Sequence, residues 1–262
     1  MSFIAGELNC SEQEFSEKVK KVWKDIVEDD PFISAAEESP EGFVLGGQPG
    51  TGKTTLTNML SARLNKNIIS ISGDDFRPYH PHFEEIQNLY KEESPKYTSK
   101  FSGRMTEVLI DKAVSEKYNI VVEGTFRTSA TPVSTLKKMK QAGYKTGIAI
   151  QICDKETSWK SCQERYEKMR ETNPLLARAV DKAHHDLVIR QLPETIKAVY
   201  ESGFADSLEI YERYPKGNTF AVRKIFSSED GKSLDMKMIE DVLEGRASHN
   251  KKARELDSSF ER

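Results

Sequence analysis

The stretch FVLGGQPGTGKT, residues 43–54, carries the reading that decides the fold. Its last eight residues, GQPGTGKT, meet every position of G-x-x-x-x-G-K-[ST], with an apolar run ahead and the helical pattern TTLTNMLSARLN continuing from Thr54. The chemistry requires that setting. Gly47, Gly50 and Gly52 let backbone amides curl toward an anion with no Cβ in the way, and the start of the helix adds partial positive charge. Lys53 puts an ammonium on the outer phosphates, and Thr54 offers a hydroxyl to Mg²⁺. Gly47, Gln48, Pro49, Gly50, Thr51, Gly52, Lys53, Thr54 and Thr55 are therefore expected to hold a nucleoside triphosphate. The alternative is a glycine-rich turn that binds nothing.

Outward from this loop, apolar runs alternate with helical patterns. Strands are expected at 43–47, 67–72, 119–124, 146–152 and 207–211. Helices are expected over 11–30, where Ser11 and Glu14 form a capping-box signature, and over 54–65, 82–93, 98–116, 156–171 and 181–202. A further helix is punctuated by Thr131, Pro132 as its first helical residue, and Gly143. Such alternation implies parallel βαβ units: an α/β, P-loop NTPase or kinase-like parallel sheet with helices on both faces and a helical lid. Three segments are expected: an N-terminal helical segment 1–40, the kinase core 41–227, and a charged helical tail 228–262 that is loosely held from Arg246 onward.

Composition sets outer limits. The chain has 262 residues, 37% apolar and 31% charged, with a formal net charge of −3, so it offers no whole-chain attraction for nucleic acid. Cys10, Cys153 and Cys162 lack metal-ligand or C-x-x-C spacing and read as free thiols in a reducing compartment. MSFIAGELNC lacks the basic region and apolar stretch of a signal peptide, and no apolar run approaches the ~18 residues a membrane span needs. A cytoplasmic protein is expected.

A GTPase should carry D-x-x-G and N-K-x-D; the first is absent, and NKNI at 65–68 lacks the Asp. A small kinase, with the acceptor bound beside the nucleotide, suits the compact arrangement better. In a parallel sheet, ligands sit outside the carboxyl ends of the strands. The stretch SISGDDFRPYHP (70–81) puts Asp74 and Asp75 at that rim, and NIVVE puts Glu123 there too. A carboxylate at the acceptor end would take the proton of an attacking alcohol; an aspartate that merely ends a strand in a turn is the competing reading. Glu123 is favoured near the metal or its water shell, against a turn-capping acid. Arg165, Arg170 and Arg178 lie in a helical stretch broken at Asn173-Pro174, a hinged lid whose planar cations suit phosphate oxygens. Solvated arginines paired with Glu164 or Glu171 are the alternative.

Together LGGQPGTGKTTL, GDDFRPYHPHFEE, FSGRMTE, NIVVEGTFRT, ERYE and ARAVDKAHHD, in this order over roughly residues 40–215, resemble the zeta toxin family, the kinase half of epsilon–zeta type toxin–antitoxin pairs. The resemblance implies an ATP- and Mg²⁺-dependent kinase acting on the 3′-hydroxyl of UDP-N-acetylglucosamine, which blocks cell-wall precursor synthesis. It implies Asp74 as base, Lys53 as the P-loop lysine, and Arg165 and Arg178 on the migrating phosphoryl group. Glu107, Glu123, Thr125, Arg127 and Thr135 fall where the family lines its sugar-nucleotide and metal site. Asp75 occupies a variable position of the motif, and the family puts no weight on Arg170. The resemblance also implies a small helical antitoxin that blocks the nucleotide site. Trp23 on the 11–30 helix could touch it, although burial against the protein's own sheet is the plainer fate. Two other readings stand beside this one: a kinase for another alcohol, such as an antibiotic or a polynucleotide 5′-hydroxyl, and a regulatory module whose nucleotide only controls association.

Overall fold

The computed structural model describes residues 9–36 and 39–246. In chain order these form α1 (Glu12–Trp23), β1 (Glu41–Gly46), α2 (Thr54–Arg63), β2 (Ile69–Ser72), α3 (Phe83–Tyr90), α4 (Ser94–Ser115), β3 (Ile120–Glu123) and α5 (Ala130–Gln141). Then come β4 (Lys145–Ile152), α6 (Lys155–Thr172), α7 (Lys182–Glu201), β5 (Ser207–Lys216), β6 (Thr219–Ser227) and α8 (Met236–Leu243). The expectation of a loosely held end beyond Arg246 falls outside the described residues, as does the start of the chain, MSFIAGEL.

One sheet runs β2-β3-β1-β4-β5-β6. The first five strands are parallel to their neighbours, and β6 returns antiparallel to β5. Side chains alternate across a strand, so each run feeds two cores. On one face Phe43, Leu45, Val121 and Ala149 meet Leu56 and Leu60 of α2. On the other, Val44, Ile120, Val122, Ile148, Ile150 and Ile152 pack under α1, α4, α5, α7 and α8. Burying a side chain such as Leu109 or Leu136, both at 0% exposure, contributes about 1.5–3 kcal/mol each.

The fold class expected from sequence is the one observed, with differences in detail. β6 was not anticipated. Only its last two residues are buried and it carries exposed Arg223 and Lys224, as befits an edge strand, so no buried apolar run announces it. It pairs from Lys216↔Thr219 across a turn in which Gly217 takes φ +58, so β5 extends well beyond Tyr211. The 11–30 helix is α1, with the capping box in place, followed by a wider π turn over Lys24–Glu28. The helix expected at Pro132 begins at Ala130 with Ser129 as its N-cap, leaving Thr131 inside the first turn.

α1 lies on α4. Phe15 meets the Phe101 ring edge-on at 5.6 Å, and Trp23 is 5% exposed against Tyr118. Burial is thus the fate of Trp23. From the turn after α1, Asp25 accepts a 2.9 Å hydrogen bond from Tyr79, tying α1 to the segment after β2.

Candidate active site

Gly47, Gly50 and Gly52 have φ of +145, +81 and +79, backbone geometry that suits glycine. The loop's carbonyls are held from the protein side. Arg213 donates to the Gly50 oxygen at 2.7 Å, and Gln151 Nε2 donates to the oxygens of Thr51 and, at 3.1 Å, Gly52. In a planar trans peptide the N–H points opposite to the C=O, so the amides of Gly52 and Lys53 face the cleft. The first turn of α2 has no side-chain cap. These observations fit a bound polyphosphate.

Two of these glycines leave no room for a side chain: a Cβ on Gly47 would lie 2.0 Å from the backbone oxygen of Gln151, and one on Gly50 2.1 Å from that of Ser158 on α6. Gly50→Ala is expected to destabilise the fold by about 1–3 kcal/mol through backbone strain alone, read as a lower midpoint in thermal unfolding.

β3 lies between β1 and β2, so Glu123 stands between the phosphate loop and the segment carrying Asp74. Lys53 Nζ lies 3.8 Å from a Glu123 oxygen and donates to the Gly47 carbonyl at 3.2 Å. Burial pushes the Lys53 pKa down; the Glu123 charge opposes this and Arg165 adds to it. Burial raises the Glu123 pKa against the pull of Lys53, with Asp75 and Asp74 adding like charge.

The residues after β2 form a 3₁₀ turn, Gly73–Tyr79, anchored by buried Phe76. Side chains three apart eclipse in such a turn, and Arg77 Nε bonds the Asp74 carboxylate at 2.9 Å. Arg178, in the loop after α6, reaches the same oxygen at 2.7 Å. Partial burial pushes the Asp74 pKa up, but Arg178 and Arg77 outweigh it and hold the carboxyl below its ordinary value. Asp75 goes the other way, raised by burial and by the Asp74 charge. Arg165, on α6, turns its positive charge on Lys53, Asp74 and Glu123 alike.

Glu123, Thr125, Arg127 and Thr135 line one cavity of ≈350 Å³, to which His184 of α7 also contributes. Thr135 is buried in α5 and donates to the Thr131 carbonyl. Phe126, between Thr125 and Arg127, takes φ +54 and is 4% exposed, its ring filling the space above Gly46. That strained backbone tucks the aromatic beneath the loop while both neighbours line the cavity. Glu107 is not brought into this lining. It sits on α4, 3.6 Å from Lys138, which also pairs with Asp111. Arg170 lies by Glu167 and over Tyr166.

Among the described residues no three His, Cys, Asp or Glu cluster as a metal cage. The donors fit a Mg²⁺ held mainly by phosphate and water, with the Thr54 hydroxyl and Glu123 as the protein's contribution. Sequence reasoning missed Arg77, although its i,i+3 spacing from Asp74 was a readable signal. It also missed Gln151 and Arg213, for which no local signal exists.

The fold and this cleft define a P-loop, kinase-like α/β protein. The chain belongs to the zeta toxin family, whose sequence profile matches residues 24–224. The zeta toxin of Streptococcus pyogenes is 30% identical over 259 residues, spanning 99% of this chain and 85% of that protein. Toxin PezT of Streptococcus pneumoniae serotype 4 is 37% identical over 178 residues, 68% of this chain and 70% of that one. A solved chain from the PezAT chromosomal toxin–antitoxin system of Streptococcus pneumoniae superposes with a TM-score of 0.80 at 26% identity, covering 96% of each chain.

Proposed function

We propose that this protein is an ATP-dependent kinase that transfers the γ-phosphoryl group to the 3′-hydroxyl of UDP-N-acetylglucosamine, and so acts as a cytoplasmic toxin against cell-wall precursor synthesis. The observation that carries the reading is the Asp74 carboxylate, shared by Arg178 at 2.7 Å and Arg77 at 2.9 Å, across Glu123 from a phosphate loop. A carboxylate kept ionised by cations that also suit a phosphoryl group is what an alcohol-to-phosphate transfer requires.

In the transfer, the acceptor oxygen bonds the γ-phosphorus as the bond to the β–γ bridging oxygen breaks, ADP leaves, and the hydroxyl proton passes to Asp74. Because such transition states are loose, Asp74 chiefly positions the hydroxyl and takes the proton late. Lys53, Arg165 and Arg178 offset charge on the migrating group. Thr54 and Glu123 would hold Mg²⁺, which when bound would supply positive charge to offset that of the phosphates. Thr125, Arg127 and Thr135 supply the hydroxyls and the cation that a sugar diphosphate needs beyond the loop. Glu107 enters the proposal only as a second-rank substrate contact, given its pairing with Lys138.

Membership of the family and the PezAT relative support a small helical antitoxin as partner, covering the nucleotide site. No described helix is long and apolar enough to cross a membrane. A net charge of −3 argues against nucleic acid as acceptor.

The test is direct. Incubation with ATP, Mg²⁺ and UDP-N-acetylglucosamine is expected to yield a sugar nucleotide heavier by one phosphate group, seen by mass spectrometry. A wild-type protein that leaves the sugar nucleotide unchanged would remove this substrate.

A further inference from the structure

Arg213 on β5 has no role in the transfer described above, yet it touches the phosphate loop. Its guanidinium bonds the Gly50 carbonyl at 2.7 Å and the Ser161 hydroxyl of α6 at 3.1 Å. Its outer side lies over the Phe220 ring, 3.7 Å from the centroid. Phe220 pairs with Pro215 and Arg213 with Val222, so the two side chains are diagonal neighbours on one face of the β5–β6 hairpin. A carbonyl, a hydroxyl and an aromatic face are all neutral partners, and none cancels the charge. Phe220 itself is 46% exposed, a large apolar ring held in water beside a phosphate loop.

The sheet order gives this pair its direction. Glu123 ends β3 and Asp74 follows β2, on one side of β1; β4 and β5 lie on the other. A triphosphate on the loop with its γ end at Lys53, Glu123 and Asp74 must send its nucleoside end toward β4 and β5. There Gly52 looks across at Arg213: a Cβ on Gly52 would lie 3.7 Å from Arg213 Cδ and 3.9 Å from its Nε. The opening beside the loop is therefore bordered by an exposed aromatic ring and a planar cation.

We propose that Arg213 and Phe220 form the nucleobase shelf of the ATP site. Arg213 holds the loop's backbone from behind, and the Phe220 ring, kept in place by the guanidinium, stacks on the purine. The inference rests on the nucleotide reading above and adds the residues that take the base rather than the phosphates. Stacking on an aromatic face is tolerant of base identity, and losing it weakens binding on the order of tenfold.

Calorimetric titration with ATP and with inorganic tripolyphosphate, which lacks a base, separates the possibilities without any acceptor. Phe220→Ala is expected to weaken ATP about tenfold and leave tripolyphosphate unchanged, and Phe220→Trp to restore ATP binding. Because Phe220 is 46% exposed and lies outside both core clusters, its truncation should leave the thermal midpoint in place. If Phe220→Ala binds ATP as tightly as the wild type, or loses both ligands equally, the shelf is wrong. A wild type that binds neither ligand removes the phosphate site, and the shelf with it.

Discussion

Asp74→Asn reduces the turnover of phosphoryl transfer by about 10²–10⁴-fold, the contribution typical of a positioned general base, while ATP binding measured by calorimetry persists. Asparagine keeps the shape and the bonds to Arg77 and Arg178 in part, but it cannot take the acceptor's proton. Asp75→Asn, by contrast, costs only a few-fold, on the order of one lost surface charge. Asp74 alone of the pair is bonded to Arg77 and Arg178. If Asp75→Asn abolishes transfer and Asp74→Asn does not, the register of the motif has been misassigned.

Arg178→Ala is the second large effect. A cation on the migrating phosphoryl group is worth about 10³–10⁵ in turnover, so steady-state assays should find the variant nearly inactive at saturating ATP. The same change alters the pH profile. Arg178 and Arg77 hold the Asp74 pKa below its ordinary value, so wild-type activity extends further into acid than an isolated aspartate would permit. Without Arg178 the acid limb of the residual rate moves up in pH. Arg77→Ala should move it the same way, since Arg77 is the other cation on that carboxylate. The lowered pKa also links to stability. Asp74 favours the folded state above its unfolded pKa, and that contribution is lost as pH falls through the lowered, folded value. An acid limb that stays put in both variants would mean that Asp74 is not the titrating group.

Much of this protein is legible along the chain because the signals are local. The phosphate loop lies within a single strand–turn–helix unit, and its glycines are needed by the backbone conformation of that unit itself. Apolar runs such as NIVVE and TGIAIQI become buried parallel strands because both of their faces are covered. β6 escaped because it is an edge strand facing water, with charges where a core strand would be apolar. The turn Gly217-Asn218 between Tyr214 and Phe220 was the cue for it.

The candidate site was legible only as separate pieces. Asp74, Glu123, Arg165 and Arg178 could be assigned to strand ends and a lid, but not to one another. Arg178 meets Asp74 only once the chain after α6 folds back over the 3₁₀ turn. The Arg213–Gly50 bond spans 163 residues and leaves no trace in spacing or composition. Glu107, equal to its neighbours as a motif letter, pairs with Lys138 instead of lining the cavity with Thr125, Arg127 and Thr135.

The sequence by itself determined a nucleotide loop, an α/β sheet around it, and the carboxylates and arginines available at the rim. Those properties depend on near neighbours: φ at a glycine, alternation in a strand, spacing in a turn. The tertiary structure alone decided that β3 enters between β1 and β2, setting Glu123 between the phosphate loop and the segment that carries Asp74. It also decided which of two adjacent aspartates is gripped by two arginines, and that a distant hairpin borders the loop on its other side. Strand order and helix docking are set by packing among residues far apart in the chain, and no local pattern encodes them.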